Sequence, residues 1–298
     1  MHLLLITQGQ CQSEALPVKS RSSKASVNLS ALGDTQAKML GQHLGQQLKG
    51  SQSRIRLMCS SAAGALETMR PLARVLRLRP AVIPELHECG GLPGSAGPSR
   101  DEICRHFPEF DASLIPETGQ GSETPAQAWL RATTLAQLLK HRASAEGTAS
   151  EGILVIVSHR DFAALLARFL LMPAQGDSSA QKYKDLFPDM FWPMNDTGVS
   201  HIILGVRATD RYAADAWLAY WNRSDHLVEA QRTGVDYRMI GFGRAAEWAR
   251  LGEGGSGLLP KFEEQRVVCR LRRPWSGIIS AAVLAGMVLA TLLRVRRT

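Results

Sequence analysis

Residues 153–166 read ILVIVSHRDFAALL. The aliphatic run at 153–157 is too short for a helix and rich in β-branched side chains, which suits a strand buried on both faces. A polar turn follows at Ser158 and His159. The helical pattern DFAALLARFLLM then begins, with Asp161 near its N-terminus, where a carboxylate is favoured. The first fourteen residues, MHLLLITQGQCQSE, repeat the plan: an apolar strand at 3–6 runs into a polar turn, this time without a histidine. Further apolar strands are predicted at 55–59 and 201–206. Between them, LSALGDTQAKMLGQHLGQQL (29–48) offers Ser30 as an N-cap and sets Ala37, Leu40, Leu44 and Leu48 on one helical face. SAAGALETMRPLARVL (61–76) does the same with Leu66, Met69, Ala73 and Leu76. Strand followed by helix, repeated, predicts an α/β three-layer sandwich around a mostly parallel sheet. Ligands of such sheets bind outside the carboxyl ends of the strands, so the turns at Thr7-Gln8-Gly9, Cys59-Ser60-Ser61 and Ser158-His159 are the places for a site.

The composition narrows the function. The chain has 298 residues, 45% of them hydrophobic, and a formal net charge of +8. From Leu259 onward stand eight Lys/Arg against Glu263 and Glu264. That segment therefore holds six of the eight net charges and leaves a nearly neutral body, which argues against nucleic acid as a partner. The five cysteines form no C-x-x-C pair, and the eight histidines are scattered singly. No metal site is expected from that spacing, and no cofactor motif is found.

The C-terminal segment RRPWSGIISAAVLAGMVLATLLRVRRT contains an uncharged stretch at 275–293. As a helix it would span roughly 28 Å, the thickness of a bilayer's hydrocarbon core. Arg270, Arg272 and Arg273 flank it on one side, Arg294, Arg296 and Arg297 on the other, and Trp275 sits where an interfacial aromatic belongs. Gly277, Ala281 and Ala285, and likewise Ala282, Gly286 and Ala290, recur every four residues and make faces on which another helix can pack closely. The expected organisation is a globular domain over 1–235, an extension with the Gly-rich linker EGGSG over 236–269, and a single transmembrane helix over 270–298. A short anchor with basic flanks suits a mitochondrial membrane.

The motifs resemble the histidine phosphatase superfamily, the phosphoglycerate mutase-like family. LLLITQGQCQSE is similar to the strand and turn that carry the family's Arg-His-Gly, with Thr7 and Gln8 in place of arginine and histidine. LSALGDTQAKMLGQHL is similar to its first helix. CSSAAGALETMRPLA is similar to its second strand and helix, with Gly64 where an arginine is usual. LHECGGL brings Glu88 to the place of the family's acid, and GPSRDEICRHFPEF continues the likeness. ILVIVSHRDFAALL brings His159 to that of the second histidine, with Arg160 where glycine is usual. NDTGVSHIIL and WLAYWNRSDHL match the closing strands, so the resemblance covers roughly residues 1–230.

In that family the first histidine attacks phosphorus, two arginines and the second histidine hold the phosphoryl oxygens, and the acid protonates the leaving group. The resemblance therefore implies a vestigial pocket at Thr7, Gln8, Gly64, Glu88 and His159. Gln8 has no nucleophilic lone pair, because its amide nitrogen is delocalised. Thr7 and Gly64 lack the guanidinium forks that bind phosphate bidentately. Of the expected machinery only His159 and Glu88 are left, with Thr7 and Gln8 expected to bond one another and fill the pocket, Glu88 a solvated loop carboxylate, and nothing basic nearby. The expectation is a catalytically inactive protein that serves as a membrane-anchored accessory subunit of a larger complex, such as a mitochondrial respiratory or ATP-synthase assembly. Weak phosphoester chemistry through His159 and Glu88, and a tail-anchored adaptor, are the alternatives. A thiol-imidazole pair between Cys59 and His159 is a further arrangement the strand ends would permit.

Overall fold

The computed structural model describes residues 1–15, 28–89, 98–118, 123–145, 152–171, 194–205 and 216–233. Six strands form one sheet: β1 (His2–Thr7), β2 (Ile55–Cys59), β3 (Ala81–Val82), β4 (Ile153–Ser158), β5 (Val199–Leu204) and β6 (Ala216–Arg223), in the order β3-β2-β4-β1-β5-β6. The helices are α1 (Gln12–Ala15), α2 (Ala31–Gln47), α3 (Ala63–Leu76), α4 (Arg100–His106), α5 (Pro125–Ala145) and α6 (Arg160–Leu171).

The apolar runs are buried on both faces because alternate residues point into different layers. Leu3, Leu5, Met58, Leu154 and Ile156 pack with Ala132, Leu135 and Leu139 of α5 and Phe162 and Leu166 of α6. Leu4, Ile6, Leu57, Cys59, Val155 and Val157 pack with Leu40 and Leu44 of α2 and Leu66, Met69 and Leu72 of α3. The predicted three layers are thus present. Ser30 caps α2 as expected, its side chain accepting from Gly33 N–H, and Leu66, Met69, Ala73 and Leu76 are all buried.

The sheet is mostly parallel, as expected, and is mixed through one reversed strand, β5. β1–β4, β2–β4 and β2–β3 are parallel, whereas β1–β5 and β5–β6 are antiparallel. Apolar periodicity reports which faces are buried and is blind to strand direction. The closing strand also lies at 199–204 rather than 201–206, ending before Gly205, whose φ of +71° breaks the extended backbone. The linker at 236–269 and the helix expected over 270–298, with its small-residue faces, lie outside the described residues. Among the described residues no helix is long and apolar enough to cross a membrane.

α2 and α3 approach through glycine. A Cβ on Gly41 would stand 2.8 Å from Pro71 Cβ and 2.9 Å from Leu72 N, and one on Gly45 would stand 2.3 Å from Val75 Cγ1. The contact at Gly41 is partly with backbone, which cannot turn aside as a side chain can. Gly41→Leu should therefore force the helices apart and cost about 2 kcal/mol or more of folding stability, read from the urea midpoint. An unchanged midpoint would show that this helix pair does not depend on close approach.

Candidate functional site

The parallel register of β1, β4 and β2 aligns their carboxyl ends, with Thr7 beside Ser158 and Cys59 beside Val157. The three turns singled out in the sequence are thereby brought to one edge of the sheet. Gln8 is fixed there by its backbone: its N–H donates to Ser158 O at 2.8 Å and its carbonyl accepts from Thr197 N–H at 3.2 Å. The next residue has to be glycine, since a Cβ on Gly9 would lie 2.8 Å from the Gly33 carbonyl oxygen.

Thr7 and Gln8 do not bond one another. The Thr7 hydroxyl donates to the Asn195 carbonyl, and the Gln8 amide Nε2 donates to Cys11 Sγ at 3.2 Å. These two side chains accordingly do not fill the site. A cavity of about 60 Å³ remains, lined by Thr7, Gln8, Glu88, Arg160, Asp161 and Asp196. Gly64 is buried in the first turn of α3, where its carbonyl accepts from the Thr68 hydroxyl at 2.6 Å, and it does not line the cavity.

His159 is buried, and its Nε2 lies 2.9 Å from Ser60 Oγ. Its partner is therefore Ser60, and the Cys59 pairing is not formed. The Cys59 thiol is fully buried and its pKa is driven upward by burial, the opposite of what a reactive thiolate needs. Burial lowers the His159 pKa to about 3, helped by His87 and by Arg131, so the imidazole is neutral at physiological pH. A neutral ring brings no positive charge to a phosphoryl group.

Glu88 is positioned through its backbone. Arg131, on α5, donates from Nη1 to the carbonyls of Glu85 at 2.6 Å and His87 at 3.0 Å, and from Nη2 toward that of Glu88 at 3.5 Å. Its guanidinium is paired with Glu123 and stacks 4.1 Å from the centre of the Phe162 ring. Ser158 Oγ adds a bond to Leu86 O at 2.7 Å. The Glu88 carboxylate is largely exposed, and its Oε2 stands 3.8 Å from His159 Nδ1.

Basic groups are therefore close to Glu88, contrary to the expectation. Arg131 holds its loop, and Arg160 shares its cavity, with Nη2 2.8 Å from Asp196 Oδ1. Asp196 is buried, and its Oδ2 accepts from the Thr233 hydroxyl at 2.7 Å. The sequence does hold a signal for Arg160: a cation in the first turn of a helix opposes the helix dipole and so calls for a partner. Nothing in the spacing marks Arg131 or Asp196, and Ser60 is marked only as a member of the Cys59-Ser60-Ser61 turn. Among the described residues, the cavity wall sets one guanidinium beside three carboxylates. Among the described residues, no group of three or more His, Cys, Asp or Glu is placed to hold a metal ion.

A family model described as histidine phosphatase superfamily (branch 1) matches residues 9–181. Among solved structures, a mycobacterial glucosyl-3-phosphoglycerate phosphatase is 21% identical, covering 74% of this chain and 98% of its own at a TM-score of 0.46. The ecdysone phosphate phosphatase from Bombyx mori, in complex with tungstate, is 15% identical, covering 68% of this chain and 88% of its own at a TM-score of 0.49. No curated protein matches the chain.

The neutral His159 links folding to pH. The unfolded imidazole takes up a proton below about 6.5 and the folded one only near 3. The unfolded state thus binds more protons in that window, and stability is lost as pH falls through it, by up to about 1.4 kcal/mol per pH unit. Urea unfolding of the full chain at pH 7.5 and 5.0 should differ by about 2 kcal/mol more in the wild type than in His159→Gln. Equal differences would mean that the ring is already protonated in the folded protein.

Proposed function

Because this chain belongs to the histidine phosphatase superfamily (branch 1), we propose that it is a catalytically inactive member, used as a membrane-anchored accessory subunit of a larger membrane complex. The observation that carries the first half is Gln8 at the turn where the family's attacking histidine stands. An amide cannot form a phosphoenzyme. Thr7 stands where an arginine is usual and spends its hydroxyl on the Asn195 carbonyl. Gly64 occupies the other arginine position and lies away from the cavity. Losing a single oxyanion donor commonly costs about 3 kcal/mol of transition-state stabilisation, and here the nucleophile and two cations are absent together.

The second half is supported by the uncharged 275–293 stretch between arginine clusters and by its two small-residue faces, Gly277, Ala281 and Ala285, and Ala282, Gly286 and Ala290. A mitochondrial respiratory or ATP-synthase assembly is the most concrete form of the proposal. One observation favours the alternative of weak phosphoester binding through His159 and Glu88: Arg160 faces the same cavity and is a cation in reach of it. Its pairing with Asp196 weighs against that role, since a phosphate would have to compete with a carboxylate already in place.

Two measurements test the proposal. Purified full-length protein should release no phosphate from generic phosphoesters or phosphoglycerates, and Gln8→His alone should restore nothing, because the guanidinium groups are still missing. Turnover that disappears in His159→Gln would overturn the inactive reading. Mild detergent extraction of the native membrane followed by native size separation should carry the chain with a large complex, and migration alone would replace the subunit reading with the adaptor.

A further inference from the structure

The charges of the described residues are sorted by the sheet. A helix that follows a parallel strand starts at the carboxyl edge and ends at the amino edge, and the acids of α2 and α6 stand at their starts, Asp34 and Asp161. Glu88 and Asp196 line the cavity at the same edge. The amino edge is basic. From Lys49 to Arg79 the chain carries seven Lys/Arg against Glu67 alone. Glu67 serves the other edge, where its carboxylate accepts from Leu29 N–H at 2.7 Å.

Two registers bring these cations together. Met58 pairs with Ala81 in the parallel β2–β3 ladder, so Arg56 and Arg79, each two residues earlier, stand at one level. A Cβ on Gly41 of α2 would meet Pro71 of α3, and one on Gly45 would meet Val75; a further step of four residues sets Lys49 beside the chain that leaves α3. Lys49, Arg56, Arg74, Arg77 and Arg79 are all exposed. Of the carboxylates nearby, Glu109 takes Arg70 at 2.7 Å and reaches Arg74 at 3.7 Å, and Asp111 accepts from Ser113 N–H. Among the described residues, Lys49, Arg56, Arg77 and Arg79 enter no ion pair. The helix dipole accounts for a cation at the end of α3, but Arg56 and Arg79 lie outside any helix. Arg77 caps α3 in the left-handed region, at φ +56° and ψ +42°, where glycine would sit without strain. Its exposed side chain gains no packing there, so what distinguishes it from glycine at this cap is its charge.

We propose that this amino edge is a docking surface for an anionic lipid bilayer, with phosphate head groups meeting Lys49, Arg56, Arg77 and Arg79 and the half-exposed Val75 set against the interface. Guanidinium and ammonium groups carry only donors and match phosphate oxygens. Clustered within a Debye length of an anionic leaflet, their attractions add. No aromatic residue occurs between Lys49 and Ile83, so the edge lacks a stacking platform for nucleic-acid bases. Docking of this kind deepens the membrane-anchored reading and rests on it for a bilayer within reach. Thr233, the last described residue, is held at the carboxyl edge by Asp196 and Gln36. The 41 residues between it and Trp275 could extend over roughly 135 Å. That is several times the length of α2, about 26 Å for its 17 residues, so an anchor alone does not set which edge meets the membrane. The basic edge does, and it turns the cavity toward the aqueous side.

The full chain, reconstituted in nanodiscs of phosphatidylcholine alone and in nanodiscs with one third phosphatidylglycerol, is treated with phenylglyoxal, and arginine modification is read residue by residue by mass spectrometry. Anionic lipid should slow the modification of Arg56, Arg77 and Arg79 by about threefold or more. Arg223, exposed at the carboxyl end of β6, should react equally in both discs. High salt should abolish the difference. Lys49→Gln combined with Arg77→Gly should return Arg56 and Arg79 to the faster rate in anionic discs, while the thermal midpoint stays in place or rises, because glycine accepts the left-handed cap. Equal modification in the two lipids, or slowing that survives the double variant, overturns the docking surface. Stronger slowing by a short RNA than by anionic lipid overturns it as well and assigns the edge to nucleic acid. A chain that does not stay with the phosphatidylcholine discs overturns the anchor; slowing at Arg56 and Arg79 by anionic vesicles then upholds the edge by itself, and its absence overturns both.

Discussion

The in-register parallel pairing of β1, β4 and β2 is the constraint on which the rest of this protein depends. It places three strand ends at one edge, so that Gln8, Ser60 and His159 become neighbours although they lie far apart in the chain. Because both faces of these strands are buried, a shift of register by one residue would exchange the sets that face α2 and α3 and those that face α5 and α6. The edge inherits that precision: a turn held between two buried strands has little freedom to move.

What the edge holds is a network of neutral imidazoles and paired charges. Arg131 uses its fork on backbone carbonyls of the 85–88 turn and on Glu123, so a cation close to the cavity serves to hold a loop. Arg160 is committed to Asp196, which in turn is fixed by Thr233. Among the described residues, Arg131 and Arg160 thus each have a carboxylate opposite them. Burial keeps the His159 ring neutral beside them.

The sequence made the layers legible because their signals are local. The N-cap at Ser30, the stripe of Leu66, Met69, Ala73 and Leu76, and the aliphatic runs of β1, β2 and β4 each depend on residues a few positions apart, and each stands where the pattern put it. The antiparallel sense of β5 escaped, since alternation looks the same in either direction. At the site, His159 and Glu88 were found by resemblance. Ser60 as the ring's partner was not singled out within its turn, because only the pleat decides which of adjacent residues faces the edge.

The chain by itself determined the alternation of strand and helix, the absence of a histidine at Gln8, the separation of a nearly neutral body from a basic C-terminal segment, and the uncharged stretch at 275–293. These are properties of residue type and short spacing. The tertiary structure alone decided that Thr7 and Gln8 turn away from each other, that Arg160 and Asp196 meet, and that a cavity with an excess of carboxylates survives between them. Those outcomes require side chains distant in sequence to be set within a few ångströms of one another, and that distance is fixed by the packing of layers on both faces of the sheet.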